Sequence, residues 1–358
     1  MSARENLVAV IMAGGIGSRF WPASTPEKPK QFLKLFGERS LLQQSYDRVA
    51  SLIPSDQILI LTQERFRDLV NTQLPDIPDE NIIGEPIRRD TAAPVALSAL
   101  WTHEKWGQKV LAVLTSDHII GPDADFQAAL LSAAEAAMAS DCLYTFGIPP
   151  SYPATGFGYL EMADALESKE GIAHFKLKRF VEKPDSKTAK KYCDAGNFLW
   201  NSGMFVWRND VILKEFEKQL PDHLNHLQSA CAGGQRLTPE NLTAAFEPLQ
   251  SISVDFGIME KAADVRCVKA PFSWSDVGGW RALYDHIPPN AQGNFIQETD
   301  VFTHEAMGNL IFSSQPGEEV GLLGVSDLVV VRSQDQTLIA HKDKVEELKK
   351  LLAQRDNS

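Results

Sequence analysis

Four short apolar runs, Leu7 to Met12, Gln57 to Leu61, Val110 to Thr115 and Leu143 to Phe146, are separated by amphipathic or alanine-rich stretches such as Ala92 to Trp106 and Asp125 to Ser140. Strand patterns alternating with helix patterns specify a mostly parallel sheet with helices on both faces, because parallel neighbours need a crossover long enough to hold a helix. In such a sheet ligands bind just beyond the C-terminal ends of the strands. Three segments stand there: the glycine run after Met12, Thr115-Ser116-Asp117-His118, and Glu85 to Thr91 after Ile82-Ile83.

The second half is less regular. Lys178 to Val181 and Gly203 to Trp207 are strand-like, Asn209 to Gln219 is helical, and the polar stretch Gln228 to Pro239 reads as a surface excursion. Around Pro288-Pro289-Asn290 the pattern changes to short β runs punctuated by glycine, such as Asn309 to Phe312 and Asp327 to Arg332. We therefore expect a larger α/β domain over residues 1–288 and a small β-rich domain over 289–358 that ends in a helix. In that helix Val345, Leu348, Leu351 and Leu352 share one face and the lysines the solvated side.

Composition excludes several functions. With 35 basic against 47 acidic side chains the net charge is −12, which opposes nonspecific binding to nucleic acid or an anionic membrane. Any polyanion must be met by a local basic pocket. No apolar run approaches the roughly 20 residues needed to span a bilayer, and the charged N-terminus enters a strand rather than a signal core, so a cytoplasmic location is expected. Cys142, Cys193, Cys231 and Cys267 are scattered without metal-ligand spacing and are expected as reduced, mostly buried thiols.

The strand Leu7 to Met12 runs into Ala13-Gly14-Gly15-Ile16-Gly17-Ser18-Arg19, followed by Lys30 in Pro29-Lys30-Gln31-Phe32. Residues without a Cβ let backbone N–H groups approach phosphate oxygens, and Arg19 and Lys30 add the charge that amides lack. The run is neither a dinucleotide fingerprint, whose third glycine position holds Phe20, nor a P-loop, since no Gly-Lys-Ser/Thr follows Gly15. It reads as a nucleoside triphosphate site, with a plain structural turn as the alternative. Asp117, at a strand end, and Asp276, in Trp274-Ser275-Asp276-Val277-Gly278-Gly279-Trp280, are two carboxylates in tight turns. Brought together they would suffice for Mg²⁺, which takes one or two carboxylates with substrate phosphates and water; taken singly, each is an ordinary turn or cap residue. His118 reads as a hydrogen-bonded structural histidine, and Trp274 and Trp280 as core packing. The chain offers no nucleophile triad. None is needed if the nucleophile is a phosphate monoester, largely dianionic at neutral pH.

With those residues in place the chain resembles the sugar-nucleotide pyrophosphorylases, and among them the monofunctional bacterial mannose-1-phosphate guanylyltransferases, over essentially its whole length. The resemblance rests on the glycine run through Phe20-Trp21-Pro22 to Lys30-Gln31-Phe32, on Glu85-Pro86 with Arg89-Asp90-Thr91-Ala92, and on Ser116-Asp117-His118. Phe180-Val181-Glu182-Lys183-Pro184, Trp200-Asn201-Ser202-Gly203-Met204-Phe205, Ser253-Val254-Asp255 with Ile258-Met259-Glu260-Lys261, and Trp274 to Trp280 complete it in order.

The resemblance implies a Rossmann-like nucleotidyltransferase sheet with a β-helix-like C-terminal domain, and transfer of GMP from GTP to α-D-mannose 1-phosphate, giving GDP-mannose and pyrophosphate. It implies Mg²⁺ on Asp117 and Asp276, with Arg19 and Lys30 catalytic. Gly14, Gly15, Gly17, Glu85, Arg89, Thr91 and Ser116 would hold the nucleotide, and Gly156, Glu182, Lys183, Asn201 and Asp255 the sugar phosphate. Glu85 is expected to read guanine, since a carboxylate accepts from both N1–H and the 2-amino group; its alternative is a turn residue. Relatives use the C-terminal domain for dimer contacts, so a homodimer is expected. Asp90 stands where many relatives have Asn, Phe157 where Tyr is common and Thr25 where Arg is frequent. Transfer alone is expected, without phosphomannose isomerisation. The alternatives are guanylyl transfer to another sugar 1-phosphate such as manno-heptose, and a noncatalytic subunit that binds GDP-mannose.

Overall fold

The structure, a computed structural model, describes residues 2–15, 17–168, 171–231, 237–297, 299–315 and 317–356. The chain divides into two compact units, one of Met1–Gly14, Ser45–Ser116 and Ile120–Trp274, the other of Gly15–Gln44, Asp117–Ile119 and Ser275–Ser358. The unit that holds the C-terminal strands thus begins at Ser275 and also takes in the segment after Gly14.

The first unit is built on one sheet. Its strands are β1 (Leu7–Ala13), β2 (Ile58–Gln63), β3 (Ile82–Glu85), β4 (Val110–Thr115), β5 (Leu143–Ile148), β6 (Tyr159–Ala165), β7 (His174–Val181), β8 (Phe198–Arg208) and β9 (Val265–Lys269), in the order β3-β2-β1-β4-β8-β5-β9-β7-β6. β1, β2, β3 and β4 are parallel, as are β5 and β9, whereas β8 runs against β4 and β5, and β7 against β9 and β6. The sheet is therefore mixed and mostly parallel, and the continuous apolar sequence of β1, β2 and β4 is the signature of strands covered on both faces. Helix Ala92–Trp106 is buried on every side from Ala92 to Thr102. It lies against helices Asn209–Gln219 and Pro221–Cys231, so its all-round apolar surface is covered. No helix among the described residues is long and apolar enough to cross a membrane.

The second unit carries β10 (Phe295–Gln297), β11 (Asp300–His304), β12 (Leu310–Ser313), β13 (Glu319–Leu323), β14 (Leu328–Ser333) and β15 (Gln336–His341). β10, β12 and β14 stack in parallel with β15 antiparallel at the end, and β11 pairs in parallel with β13, so successive turns of chain coil as a short β-helix. Buried Asn294 and Asn309 form its internal ladder: Asn294 Oδ1 accepts from the Asn309 N–H at 3.0 Å, and Asn309 Oδ1 from the Leu328 N–H at 2.9 Å. Phe20, Leu33, Leu35, Leu41, Val277, Trp280 and Leu283 share one core with Leu310, Phe312, Val329, Val331 and Leu338. Val345 and Leu348 join it, but Leu351, expected on the same face, is exposed: residues 345–347 form a 3-10 turn before helix Leu348–Asp356, and that shift in period turns it outward. Helix Pro221–Cys231 extends into the polar stretch expected as an excursion, of which residues 232–236 lie outside the described residues. The four cysteines are free thiols; Cys142, Cys231 and Cys267 are buried and Cys193 half-buried.

Candidate active site

In the second unit Lys30 is the centre of a buried cluster. Its side chain is 7 % exposed, and Nζ donates to Asp117 Oδ2 at 3.2 Å and to the Asp276 carbonyl at 2.6 Å. Backbone sets up this approach. Gly17 has φ 63°, and a Cβ there would overlap the Lys30 Cβ and lie 3.2 Å from its Cα. The loop is pinned by Gln31 Nε2 donating to the Gly15 carbonyl at 3.1 Å and by the Ser24 hydroxyl donating to the Gly17 carbonyl at 2.7 Å. Arg19 Nη1 donates to the Gly278 carbonyl at 3.0 Å, Trp280 Nε1 to the Trp21 carbonyl at 3.0 Å, and the Phe20 and Trp280 rings meet edge to face. Two segments far apart in sequence, the glycine loop with Lys30 and the stretch around Asp276, are thus one structural object.

Charge divides unevenly over the pair of carboxylates. Burial pushes Asp117 up, but the Lys30 ammonium and His118 outweigh it and hold the carboxyl below its ordinary range. Burial dominates at Asp276 and raises it against Lys30 and Arg19, with the Asp117 charge adding to the rise. His118 stands 3.8 Å from Asp117. Among the described residues no group of three or more His, Cys, Asp or Glu side chains could hold a metal ion.

In the first unit, β1, β3 and β4 end at the same edge of the sheet, at Ala13, Glu85 and Thr115, with β2 between β1 and β3. Gly14 follows β1, its carbonyl accepting from Gln63 Nε2 at 3.1 Å, and a Cβ on it would stand 3.8 Å from Glu85 Oε1. Glu85 closes β3 and is 6 % exposed; burial pushes its carboxyl up to about 8, eased by Arg88 and reinforced by Asp90. Ser116 is buried, its N–H continuing the ladder to the Met12 carbonyl at 3.2 Å. Arg89 and Thr91 are engaged within the protein. Arg89 donates to the carbonyls of Phe246 at 3.0 Å and Glu247 at 2.6 Å, satisfying the C-terminal end of helix Pro239–Phe246. The Thr91 hydroxyl accepts from the Val254 N–H at 2.9 Å. With Ile252 N–H on the Arg89 carbonyl and Ala92 N–H on the Ile252 carbonyl, this turn staples the chain that leads into Asp255.

The residues expected at the sugar phosphate converge elsewhere in the same unit. Asn201 Nδ2 donates to Asp255 Oδ1 at 2.9 Å, and the Asn201 N–H donates to the Gly158 carbonyl at 2.8 Å. Lys183, at φ 46°, pairs with Glu182 at 3.0 Å. The Glu182 N–H is held by Glu260 at 2.9 Å. Glu182 Oε2 is buried without a hydrogen-bond partner and faces Gly158, where a Cβ would collide with it. Asp255 is pushed up to about 7, by burial first and then by the Glu182 charge. Gly156 is exposed, with open space where a Cβ would stand. The Phe157 ring packs edge to face on Trp200 and Trp274, so Trp274 joins an aromatic cluster rather than the deep core that holds Trp280.

A strand bulge adds a feature beyond those expectations. The pairing of β5 with β8 slips between Thr145, opposite Phe205, and Gly147, opposite Asn201. Gly203 supplies φ 71° within the resulting bulge and the Ser202 hydroxyl accepts from the Met204 N–H at 3.3 Å. A glycine inside an apolar strand run is the sequence signal for such a bulge, and bulges re-aim side chains beside functional sites. Here it sets Asn201 over Asp255.

Comparison with known proteins identifies the family. Residues 8–292 match the family described as Nucleotidyl transferase, and residues 305–354 the MannoseP isomerase/GMP-like beta-helix domain. The chain is 36% identical over 355 residues to the xanthan biosynthesis protein XanB of Xanthomonas campestris pv. campestris (strain B100), covering 98% of the chain and 73% of that protein. It is 36% identical over 365 residues to the mannose-1-phosphate guanylyltransferase of Escherichia coli K12, covering 98% and 74%. Among solved structures it superposes with a TM-score of 0.86, at 31% identity over 98% of this chain and 99% of the other, on a Thermus thermophilus protein described as a mannose-1-phosphate geranyltransferase. A glycine loop clamped to a buried lysine, a mixed sheet and a β-helix thus meet a family match over most of the length, and the chain belongs to the nucleotidyl transferase family together with the E. coli mannose-1-phosphate guanylyltransferase.

Proposed function

We propose that this enzyme transfers GMP from GTP to α-D-mannose 1-phosphate. A phosphate oxygen of the sugar phosphate attacks the α-phosphorus, the new P–O bond forms as the bond to the bridging β-phosphate oxygen breaks, and pyrophosphate leaves with the electron pair. No general base is needed, because a phosphate monoester with a second pKa near about 6 is mostly dianionic at neutral pH. The work of the protein is alignment of two polyanions and cancellation of their repulsion.

The observation that carries this reading is Lys30, buried and held between Asp117 and the Asp276 carbonyl beside the glycine loop. In the reading its ammonium faces the charge that builds on the α-phosphate, Arg19 and the N–H groups of Gly14, Gly15 and Gly17 hold the triphosphate, and Glu85 reads guanine. Ser116 shapes the end of β4. Arg89 and Thr91 act through the turn they staple rather than on the nucleotide, since Arg89 is occupied by a helix end. Asn201, Asp255 and Glu182 take sugar hydroxyls, Lys183 the sugar phosphate, and the open Gly156 leaves room for the ring. Two hard carboxylates, of which Asp117 raises the cost of ionising Asp276, fit Mg²⁺ better than a softer ion. When bound by Asp117 and Asp276, Mg²⁺ supplies positive charge against the phosphate oxygens. The same reading has the enzyme act in the cytoplasm as a homodimer.

The test is pyrophosphate release with Mg²⁺, crossing GTP, ATP, UTP, CTP and dTTP with mannose, glucose, galactose and manno-heptose 1-phosphates. Release confined to GTP with mannose 1-phosphate is expected. Release with another pair moves the substrate, and no release with any pair overturns catalysis in favour of a GDP-mannose-binding subunit.

A further inference from the structure

Behind Asn201 stands a residue that touches no proposed substrate. Thr145 lies on β5, fully buried, and its hydroxyl Oγ1 is 2.8 Å from Asn201 Oδ1 and 3.0 Å from the Met204 carbonyl within the bulge. The bulge makes this meeting: the slip in pairing after Thr145 brings Asn201, out of its regular register, beside it. On its other side the Asn201 amide donates to Asp255.

An asparagine side chain can turn over and exchange its donor end for its acceptor end. Against an ionised Asp255 only one orientation sets NH₂ toward the carboxylate; the other sets two acceptor oxygens face to face. Building on the reading of Asn201 and Asp255 as sugar-binding groups, we propose that Thr145 is a positioning residue, whose hydroxyl proton holds the Asn201 oxygen and so keeps the amide turned with its NH₂ toward Asp255, ready for a sugar hydroxyl. Without the hydroxyl, Asn201 Oδ1 faces a methyl group in a buried site, where an unmet acceptor is costly. The amide then rotates away, and Asp255 loses its donor. The effect falls on the sugar side, because the hydrogen bonds of the hydroxyl run to Asn201 and the Met204 carbonyl.

Thr145→Val keeps the volume and deletes the hydroxyl; Thr145→Ala deletes it without the second methyl, so one can be read if the other fails to fold; Thr145→Ser keeps it. Steady-state KM for mannose 1-phosphate and for GTP, and kcat, are measured for each, with a thermal melt alongside. The expected result is a KM for mannose 1-phosphate raised on the order of tenfold in the Val and Ala variants, with KM for GTP and kcat within about twofold, and near wild-type values in the Ser variant. Equal rises in both KM values, a Ser variant no better than Val, or a Val variant like wild type would each overturn the proposal. Asn201→Ala separates the two layers: if it leaves KM for mannose 1-phosphate unchanged, the sugar-site reading itself falls; if it raises that KM while Thr145→Val does not, only the positioning role falls.

Discussion

Gly17→Ala and Gly15→Ala are the same substitution two residues apart, and the structure assigns them different consequences. At Gly17 the backbone has φ 63°, where a residue with a Cβ loses about 1–2 kcal/mol. The new Cβ would also overlap the Lys30 Cβ and crowd its backbone N at 3.0 Å. Ordinary carbon contacts need about 3.5–4.0 Å, and the two Cβ atoms would stand far inside that range, so Lys30 must retreat by about 1–2 Å or the loop must open. A misplacement of about 1 Å at a catalytic group is worth on the order of a hundredfold in rate. Gly17→Ala is therefore expected to lower stability by about 2–5 kcal/mol, once the overpacking is added to the backbone cost, and kcat for pyrophosphate release by roughly a hundredfold. At Gly15 nothing lies within 4 Å of a built Cβ and φ is not positive. Its Ala variant is expected to melt with wild type and to raise KM for GTP, because the methyl stands where phosphate oxygens approach. A Gly17→Ala enzyme with wild-type melting and turnover, or a Gly15→Ala enzyme destabilised as much as Gly17→Ala, would refute the reasoning.

Lys30→Ala removes the ammonium from Asp117 and the Asp276 carbonyl, and turnover is expected to fall by about two to three orders of magnitude while circular dichroism stays native. Asp117→Ala with Asp276→Ala is expected to abolish activation by Mg²⁺; pyrophosphate release by the double variant that still rises on Mg²⁺ titration would place the metal elsewhere. Glu85 keeps its proton in the folded protein up to about pH 8 against an ordinary value of 4.5, so its contribution to stability declines as pH rises across that window. Glu85→Gln should flatten the fall in melting temperature over that range, though not remove it, since Asp255 with its value of about 7 declines in the same sense. The N–H donors of guanine favour the ionised carboxylate with its two acceptors, and the same variant, which offers one, should lose on the order of tenfold in preference for GTP over ATP, measured as the ratio of kcat/KM values.

The regular part of the fold was legible because its signals are local. Val110 to Thr115, Ala92 to Trp106 and Asn209 to Gln219 are elements with the bounds the sequence suggests, each written in its own periodicity. β9 was not legible: Val265–Lys269 carries Arg266 and Lys269 and becomes a strand because β5 and β7 flank it, a tertiary cause. The same holds in the site. A glycine loop after an apolar strand offers a phosphate site, or a plain turn, from residue types alone, whereas the capping role of Arg89 depends on where the helix Pro239–Phe246 ends. Thr145 has no signal at all, since its role arises from a slip in pairing with a strand that comes much later in the chain. Motif reading proposes the groups that meet a ligand; the groups that orient them are fixed by register.

The two acceptors of Lys30 have a consequence for the order in which the protein is made. Asp117 leaves the ribosome 87 residues after the lysine and the Asp276 carbonyl 246 residues after it, and the tryptophan that braces the loop follows. At about 5–20 residues per second, the lysine waits roughly 10–50 s for its last partner. The strands β1 to β5 are already complete by then and Ser24 and Gln31 can already hold the glycine loop, but Lys30 lacks its carbonyl partner at Asp276 and Arg19 its anchor at Gly278, so the two cations are not yet set to meet a nucleotide. A chain stalled before residue 276 can hold much of its sheet and still be blind to GTP, so nucleotide capture by ribosome-bound chains of increasing length is expected to switch on only after the stretch from Asp276 to Trp280 has emerged from the exit tunnel.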